Sequence, residues 1–430
     1  MFLHRFISLI SKSREGVWPK VLYLSSGLFF VMLADAIISF WVPNLLQDAL
    51  KSPVLMGLVV SFQSVVGFGA DLIFPKMLRS ATVRWFALMA IFTSGVTLLF
   101  ILGTTFEPLL SLFLITMALW GIYYEFMSFA RQQFVAEAIP HQEHSAVWGV
   151  LGVFLNLAYF LGPLLAAFLL AKGNFIAGGV TFLFLLIGFI ITNSYGKTHQ
   201  KKPEFDISSV RIWEEIKRWR VLLKHIWPII IVSLFLGFID STFWTTGAVW
   251  TAKLSRESAW GSLFLPLYSL PSLFVGFIVA KWAIAKGKKR MALKFMLASG
   301  VFLALIGLHA HIAWQLLMIF LFSLTISFSY PLIEGVYSDI SARLGSEKKH
   351  MFGMTSSAVN ISYIIWPPIA GLIALKVGER MTFSVMGILT IIVSLILLIV
   401  TPRKLKMPQT EISEWKVEDK DEMVHAQIHK

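Results

Sequence analysis

Apolar residues in this sequence form twelve long runs separated by short polar segments. A helix needs about 20 apolar residues to cross the roughly 30 Å hydrocarbon core of a bilayer, at 1.5 Å per residue. The pattern predicts an all-α polytopic membrane protein with twelve membrane-spanning helices, here called spans 1 to 12. Their predicted ranges are 20–43, 54–74, 83–103, 108–131, 145–170, 175–195, 226–250, 258–282, 291–311, 313–338, 350–375 and 381–401.

The composition excludes a soluble fold. Hydrophobic residues make up 57% of the chain and charged residues 14%, whereas about a quarter of the residues in ordinary soluble domains are charged. Cysteine is absent, which excludes disulfides, thiolate metal sites and a cysteine nucleophile.

The basic residues are distributed unevenly between the two sides of the predicted spans. Six of the 37 Lys and Arg residues lie in the loops of one side, at Lys51, Lys172, Lys253, Arg256, Lys376 and Arg380. The others lie on the opposite side, and basic residues concentrate on the cytoplasmic side of membrane proteins. We therefore expect both termini in the cytoplasm and the protein in the plasma membrane. Because the net charge of +13 is spread between apolar runs, we expect lipid rather than nucleic acid as its partner.

The longest polar stretch between spans divides them six and six. We expect an N-terminal half at 1–195, a cytoplasmic linker at 196–225, a C-terminal half at 226–401 and a cytoplasmic tail at 402–430. Ile212, Ile216 and Trp219 lie along one side of a helix in the linker, which predicts an amphipathic helix at the membrane surface.

The two halves are related by an internal repeat. When the sequence is shifted by 204 or 205 residues, identical residues of types that are unusual in lipid-spanning segments align. The aligned pairs are Asp35 with Asp240, Asn156 with Asn360, Tyr159 with Tyr363 and Pro163 with Pro367. Parallel repeats of this kind are related by an axis along the membrane normal. Spans 1 and 7, 4 and 10, and 5 and 11 are then expected to face a shared central path.

The chain resembles the major facilitator superfamily over nearly its whole length. GFGADLIFPK after span 2 matches a family motif at Gly67, Asp71 and Lys76, which the resemblance implies are conformational elements. AYFLGPLLAA in span 5 is similar to a pattern of the proton-coupled antiporters, at Gly162 and Pro163. Small residues admit a neighbouring helix and Pro allows a kink, so we assign Gly162, Pro163 and Pro367 to conformational change.

Besides Asp71 at the end of span 2, four acidic residues lie within spans, at Asp35, Glu125, Asp240 and Glu334. A charge at the bilayer centre costs at least about 2.5 to 3.5 kcal/mol, so these side chains are expected to face a central path. A carboxyl there takes up a proton from one side and releases it on the other. Asp35, Asp240 and Glu125 are the predicted proton-coupling residues, with structural hydrogen bonding between helices as the alternative for each.

Uncharged polar and aromatic residues near these acids are predicted to line a substrate cavity. They are Asn156, Tyr159, Asn360, Tyr363, Tyr124 and Trp120. An amide inside a span needs hydrogen-bond partners, so it lines a cavity or binds a neighbouring helix.

Arg131 and Glu334 lie near the inner ends of spans 4 and 10. We hypothesise that they form part of an inner gate when the cavity opens outward, while Arg131 alternatively reaches the lipid headgroups.

The sequence predicts a secondary transporter of a small organic molecule, with proton-coupled efflux preferred over import of a sugar, organic acid or nucleoside. Motifs of hydrolases and nucleotide-driven pumps do not occur, and no metal site or cofactor is expected. We predict a monomer that is not an enzyme, with its substrate and protons as partners. The alternative of another class is a non-transporting membrane receptor on the same scaffold.

Overall fold

The computed structural model describes residues 17–77, 82–138, 144–194, 212–282, 287–344 and 348–402. Within these ranges the chain forms α-helices with short 3₁₀ and π-helical turns, and no strand. Twelve helical segments are long and apolar enough to cross a membrane. The predicted all-α architecture with twelve spans is confirmed.

Spans 1 to 6 are each a single helix. Their bounds are Val17–Leu50, Pro53–Met77, Val83–Phe106, Leu110–Ala138, His144–Leu170 and Asn174–Ser194. Most extend a few residues beyond the apolar run that predicts them, because the backbone hydrogen bonds of a helix continue where its side chains turn polar.

Spans 7 to 12 are less regular. Span 7 consists of α-helix Ile212–Thr242, a π-helical turn Phe243–Gly247 and α-helix Ala248–Glu257. Span 8 is divided into 3₁₀-helix Ala259–Leu263 and α-helices Phe264–Ser269 and Ser272–Trp282, with Pro271 at the second junction. The remaining spans are Lys288–Leu305 with a 3₁₀ turn Ile306–Leu308, then Ile312–Leu344, Lys348–Val377 and Glu379–Val400.

The amphipathic segment of the predicted linker is not a separate helix. It forms the first turns of span 7, which runs from Ile212 to Thr242 without a break. No Gly or Pro occurs between Ile212 and Trp227, so nothing in the backbone ends the helix before the apolar run. Residues 195–211 and 403–430 lie outside the described part, so the rest of the linker and the tail remain predictions.

The helix packing follows the internal repeat. Span 1 packs on span 5 as span 7 packs on span 11, and spans 3 and 4 correspond in the same way to spans 9 and 10. The two halves meet where span 2 packs on span 11, span 5 on span 8, and span 1 on the last part of span 7.

We call the end of the bundle with Ser194 and Ile212 the linker face, and the opposite end the far face. At the far face the halves are in backbone contact. A Cβ added to Gly57 in span 2 would lie 2.3 Å from the Pro367 carbonyl oxygen, and one on Gly371 would lie 2.2 Å from the Pro53 oxygen. Glycine is therefore required for spans 2 and 11 to close this end of the bundle.

Candidate functional site

A cavity of about 1090 Å³ lies between the two halves. It is lined by spans 1, 4, 5, 7, 10 and 11, which the repeat predicts for a central path, and also by spans 2 and 8, which were not predicted. Its lining extends from Pro43 and Thr245 deep in the bundle to Trp18 and Arg131 near the linker face. Beyond Pro43, toward the far face, the Asn44 side chain donates a 3.3 Å hydrogen bond to the Ala248 carbonyl. Among the described residues, the cavity therefore reaches the linker face, while the far face is closed.

Asp35 lies behind the cavity wall and is fully buried. Trp120 Nε1 donates a 2.7 Å hydrogen bond to its Oδ1. The Tyr159 and Tyr124 hydroxyls lie 2.5 Å and 3.1 Å from Oδ2. All three donors are neutral side chains of the same half. Asp35 is thus held by hydrogen bonds and not by an ion pair among the described residues.

Asp240 has a related environment in the other half, yet it lines the cavity directly. The Tyr268 hydroxyl donates a 2.5 Å hydrogen bond to its Oδ1, and the Tyr363 hydroxyl a 2.6 Å bond to its Oδ2. The Trp244 indole also lies close to this carboxyl. The repeat predicted equivalent positions for the two aspartates, and the structure adds that only Asp240 is open to solute.

Close helix contacts bring each aspartate to its tyrosine. In the N-terminal half, a Cβ on Gly162 would lie 2.3 Å from the Ala36 Cβ, so span 5 touches span 1 one turn from Tyr159. In the C-terminal half, a Cβ on Gly237 would lie 2.5 Å from the Ser362 Oγ. The small residues thus determine how near the hydroxyls lie to the carboxyls.

A pair of aromatic rings connects the two aspartate sites. The Tyr159 and Trp244 rings meet edge to face, with centroids 5.0 Å apart. Trp244 belongs to the π-helical turn of span 7, and such turns occur frequently at functional sites. The structure also places Trp244 in the cavity wall.

A second group of predicted residues meets where spans 2, 4 and 11 converge. The carboxyls of Glu125 and Asp71 lie next to each other, and the Asn360 amide lies 3.5 Å from Glu125 Oε1. Two carboxyls bind each other only when one carries a proton. Gly67 leaves the space, because a Cβ there would be 3.2 Å from Glu125 Oε1.

The other predicted residues have less defined partners. Asn156 lines the cavity and donates to the carbonyl of Gly152 in its own helix at 2.9 Å. Arg131 also lines the cavity, whereas Glu334 is exposed, and the described contacts include no ion pair between them. The side chain of Lys76 lies outside the described part of the chain. Pro163 and Pro367 are inside continuous helices.

Two tyrosines of the cavity, Tyr268 and Tyr330, were not predicted. Tyr330 lies 3.4 Å from the Tyr268 hydroxyl and corresponds approximately in span 10 to Tyr124 in span 4, so the repeat carried a signal for it. Tyr268 corresponds to Gln63 in span 2. Because these two residues differ in type, the repeat did not indicate that Tyr268 lines the cavity.

Comparisons with known proteins agree with this architecture. A sequence profile described as Major Facilitator Superfamily matches residues 24–346 and 262–424. No curated protein matches the chain significantly by sequence.

Three solved structures illustrate the similarity in fold. The human organic anion transporter MFSD10 (TETRAN) has a TM-score of 0.61 and 17% identity, over 88% of this chain and 98% of that one. The E. coli fucose:proton symporter FucP has a TM-score of 0.57 and 12% identity, over 91% and 100%. A POT family transporter in complex with a thioalcohol-conjugated peptide has a TM-score of 0.67 and 13% identity, over 89% and 96%.

Proposed function

Because this chain belongs to the major facilitator superfamily, we propose that it exports a small organic solute by alternating access in exchange for protons. It is an integral multi-pass membrane protein, and its family and similar structures indicate a secondary transporter rather than an enzyme. In this proposal Asp35 carries the coupling proton, and Asp240 and Glu125 assist. The protein works as a monomer.

The observation that carries the proton assignment is the environment of Asp35. Burial disfavours the charged form of a carboxyl, and hydrogen-bond donors favour it. Asp35 is fully buried but has three neutral donors and no ion-pair partner among the described residues. Burial therefore favours its protonated form and the hydrogen-bond donors favour its ionised form. A group that binds and releases a proton in each transport cycle needs both forms to be stabilised.

The orientation follows from the basic residues. The linker face is assigned to the cytoplasm, because the loops of the far face carry few Lys and Arg. The cavity in this structure is then open to the cytoplasm, the side from which an exporter takes its solute. The proposed membrane is the plasma membrane.

The cavity suits an amphipathic solute with hydrogen-bonding groups. Its wall combines the carboxyls of Asp240 and Glu125 and the amide of Asn156 with aromatic rings. The similar structures are named for an organic anion, fucose and a peptide, so the side chains rather than the fold determine the substrate. The name of the fucose:proton symporter supports proton coupling on this fold.

Proteoliposomes with an imposed pH gradient and a panel of candidate solutes test the proposal. Proton flux that depends on solute and is lost in Asp35→Asn is expected. Asp48→Asn is the matched control, since Asp48 is an exposed acid of the same span. Solute flux that depends neither on pH nor on Asp35 would contradict proton coupling. Solute that moves in the same direction as the protons would indicate an importer. Solute binding without any flux would indicate a receptor.

A further inference from the structure

Asp35 has no direct surface on the cavity, yet its hydrogen-bond partners do. Trp120, Tyr124 and Tyr159 all bind the carboxyl on one side and line the cavity on the other. In the open conformation, a proton that moves between cavity water and Asp35 must therefore pass this layer of three side chains.

The three side chains differ in their ability to transfer a proton. The Trp120 indole N–H donates a hydrogen bond but has no lone pair to accept one. Tyrosine hydroxyls both donate and accept. The Tyr159 hydroxyl lies 2.5 Å from Asp35 Oδ2, whereas the Tyr124 hydroxyl lies 3.1 Å away and also 3.4 Å from the Ser39 hydroxyl. The Tyr159 hydroxyl is therefore the closer of the two tyrosine hydroxyls to the Asp35 carboxyl.

We infer that Tyr159 is the proton relay between the cavity and Asp35, an inference that rests on the proposed proton-carrying function of Asp35. A proton from cavity water binds the hydroxyl oxygen of Tyr159 while the hydroxyl proton moves to Oδ2 of Asp35. Release runs in reverse, and Tyr159 is unchanged after each transfer. Its hydroxyl position therefore sets how fast Asp35 exchanges protons.

The other half of the protein holds this relay in place. Trp244 of span 7 packs against the Tyr159 ring at 5.0 Å and also lies close to Asp240. The remaining ionisable groups that act on Asp35 are Tyr123 and Arg131 of span 4. Of these three residues, Trp244 belongs to the opposite half from Tyr159. Movement of the halves therefore changes the packing that supports the Tyr159 ring. Trp244 is thus a positioning residue that ties proton exchange to the transport cycle.

Stopped-flow proton uptake by the purified protein tests the relay. A pH-indicator dye follows uptake after a drop in pH, and Asp35→Asn defines the uptake that belongs to Asp35. Tyr159→Phe should slow this phase about 100-fold or more, in the range of lost acid–base participation, without reducing its amplitude. Trp120→Phe is the matched control, because it also removes one hydrogen bond from the carboxyl but no relay group. It should slow the phase much less than Tyr159→Phe does.

Two further variants make the result decisive. Tyr159→His restores a side chain that donates and accepts, and should recover part of the rate even if Tyr159→Phe is poorly folded. Tyr124→Phe should also slow the phase much less than Tyr159→Phe does. Equal rates for Tyr159→Phe and Trp120→Phe, or slowing by Tyr124→Phe alone, would overturn the relay and leave the role of Asp35 intact. An undiminished uptake phase in Asp35→Asn would instead overturn the proposed function.

Discussion

The phenol ring of Tyr159 packs against the indole of Trp244, with 63° between the ring planes. The two residues belong to different halves. Tyr159 is hydrogen-bonded to Asp35, and Trp244 lies close to Asp240. A continuous chain of contacts thus joins Asp35 to Asp240 across the centre of the molecule. Because it crosses between the halves, a change at one carboxyl can be transmitted to the other.

Replacement of Trp244 should interrupt this chain. Trp244→Leu loses an aromatic pair worth about 1 kcal/mol, so transport should fall about fivefold. Solute exchange in proteoliposomes measures the loss. Trp250→Leu is the control, since Trp250 lies in the same span and binds Gln315 instead. Equal losses in both variants would mean that the indole acts only through the stability of span 7.

Enlargement of Gly162 should separate Tyr159 from Asp35. The added methyl of Gly162→Ala would lie 2.3 Å from the Ala36 Cβ, which forces spans 1 and 5 apart. Overpacking of this kind costs about 1 to 3 kcal/mol, so the melting temperature and the proton-uptake rate should both fall. Gly95→Ala is the control, because its new methyl meets no atom within 4 Å. It should lower neither the melting temperature nor the proton-uptake rate. An unaltered uptake rate in Gly162→Ala would refute the importance of this helix contact.

Arg131 and Glu334 should depend on each other in the outward-open conformation. Charge reversal of either one, by Arg131→Glu or Glu334→Arg, is expected to reduce transport, because each places like charges at the inner gate. The double variant should recover much of the activity. Transport assays on the two single variants and the double variant decide the matter, and failure of the rescue would remove the gate hypothesis.

Single cysteines should report which side of the membrane the cavity faces. The natural chain has none, so a membrane-impermeant maleimide labels only an introduced residue. Val153→Cys in the cavity wall should react in inside-out vesicles and much more slowly in right-side-out vesicles. Leu24→Cys, at a fully buried position, should stay unlabelled in both. Preferential labelling in right-side-out vesicles would reverse the assigned orientation.

The spans could be predicted from the sequence because membrane insertion is largely a local property. Each helix satisfies its own backbone hydrogen bonds in lipid, so length and hydrophobicity suffice to locate it. The same reasoning identified Asp35 and Asp240, since a carboxyl in a span is costly wherever the neighbouring helices lie. The repeat then associated Tyr159 with Tyr363.

The contacts of these residues were decided only by the tertiary structure. Asp35 and Tyr159 are 124 positions apart, and their hydrogen bond depends on how spans 1 and 5 are rotated and how closely Gly162 lets them approach. For the same reason the sequence could not tell that Asp35 is enclosed while Asp240 is open, that Glu125 lies next to Asp71, or that Trp244 touches Tyr159. A hydrophobic pattern determines which segments enter the membrane, but side-chain packing between helices determines which polar groups meet.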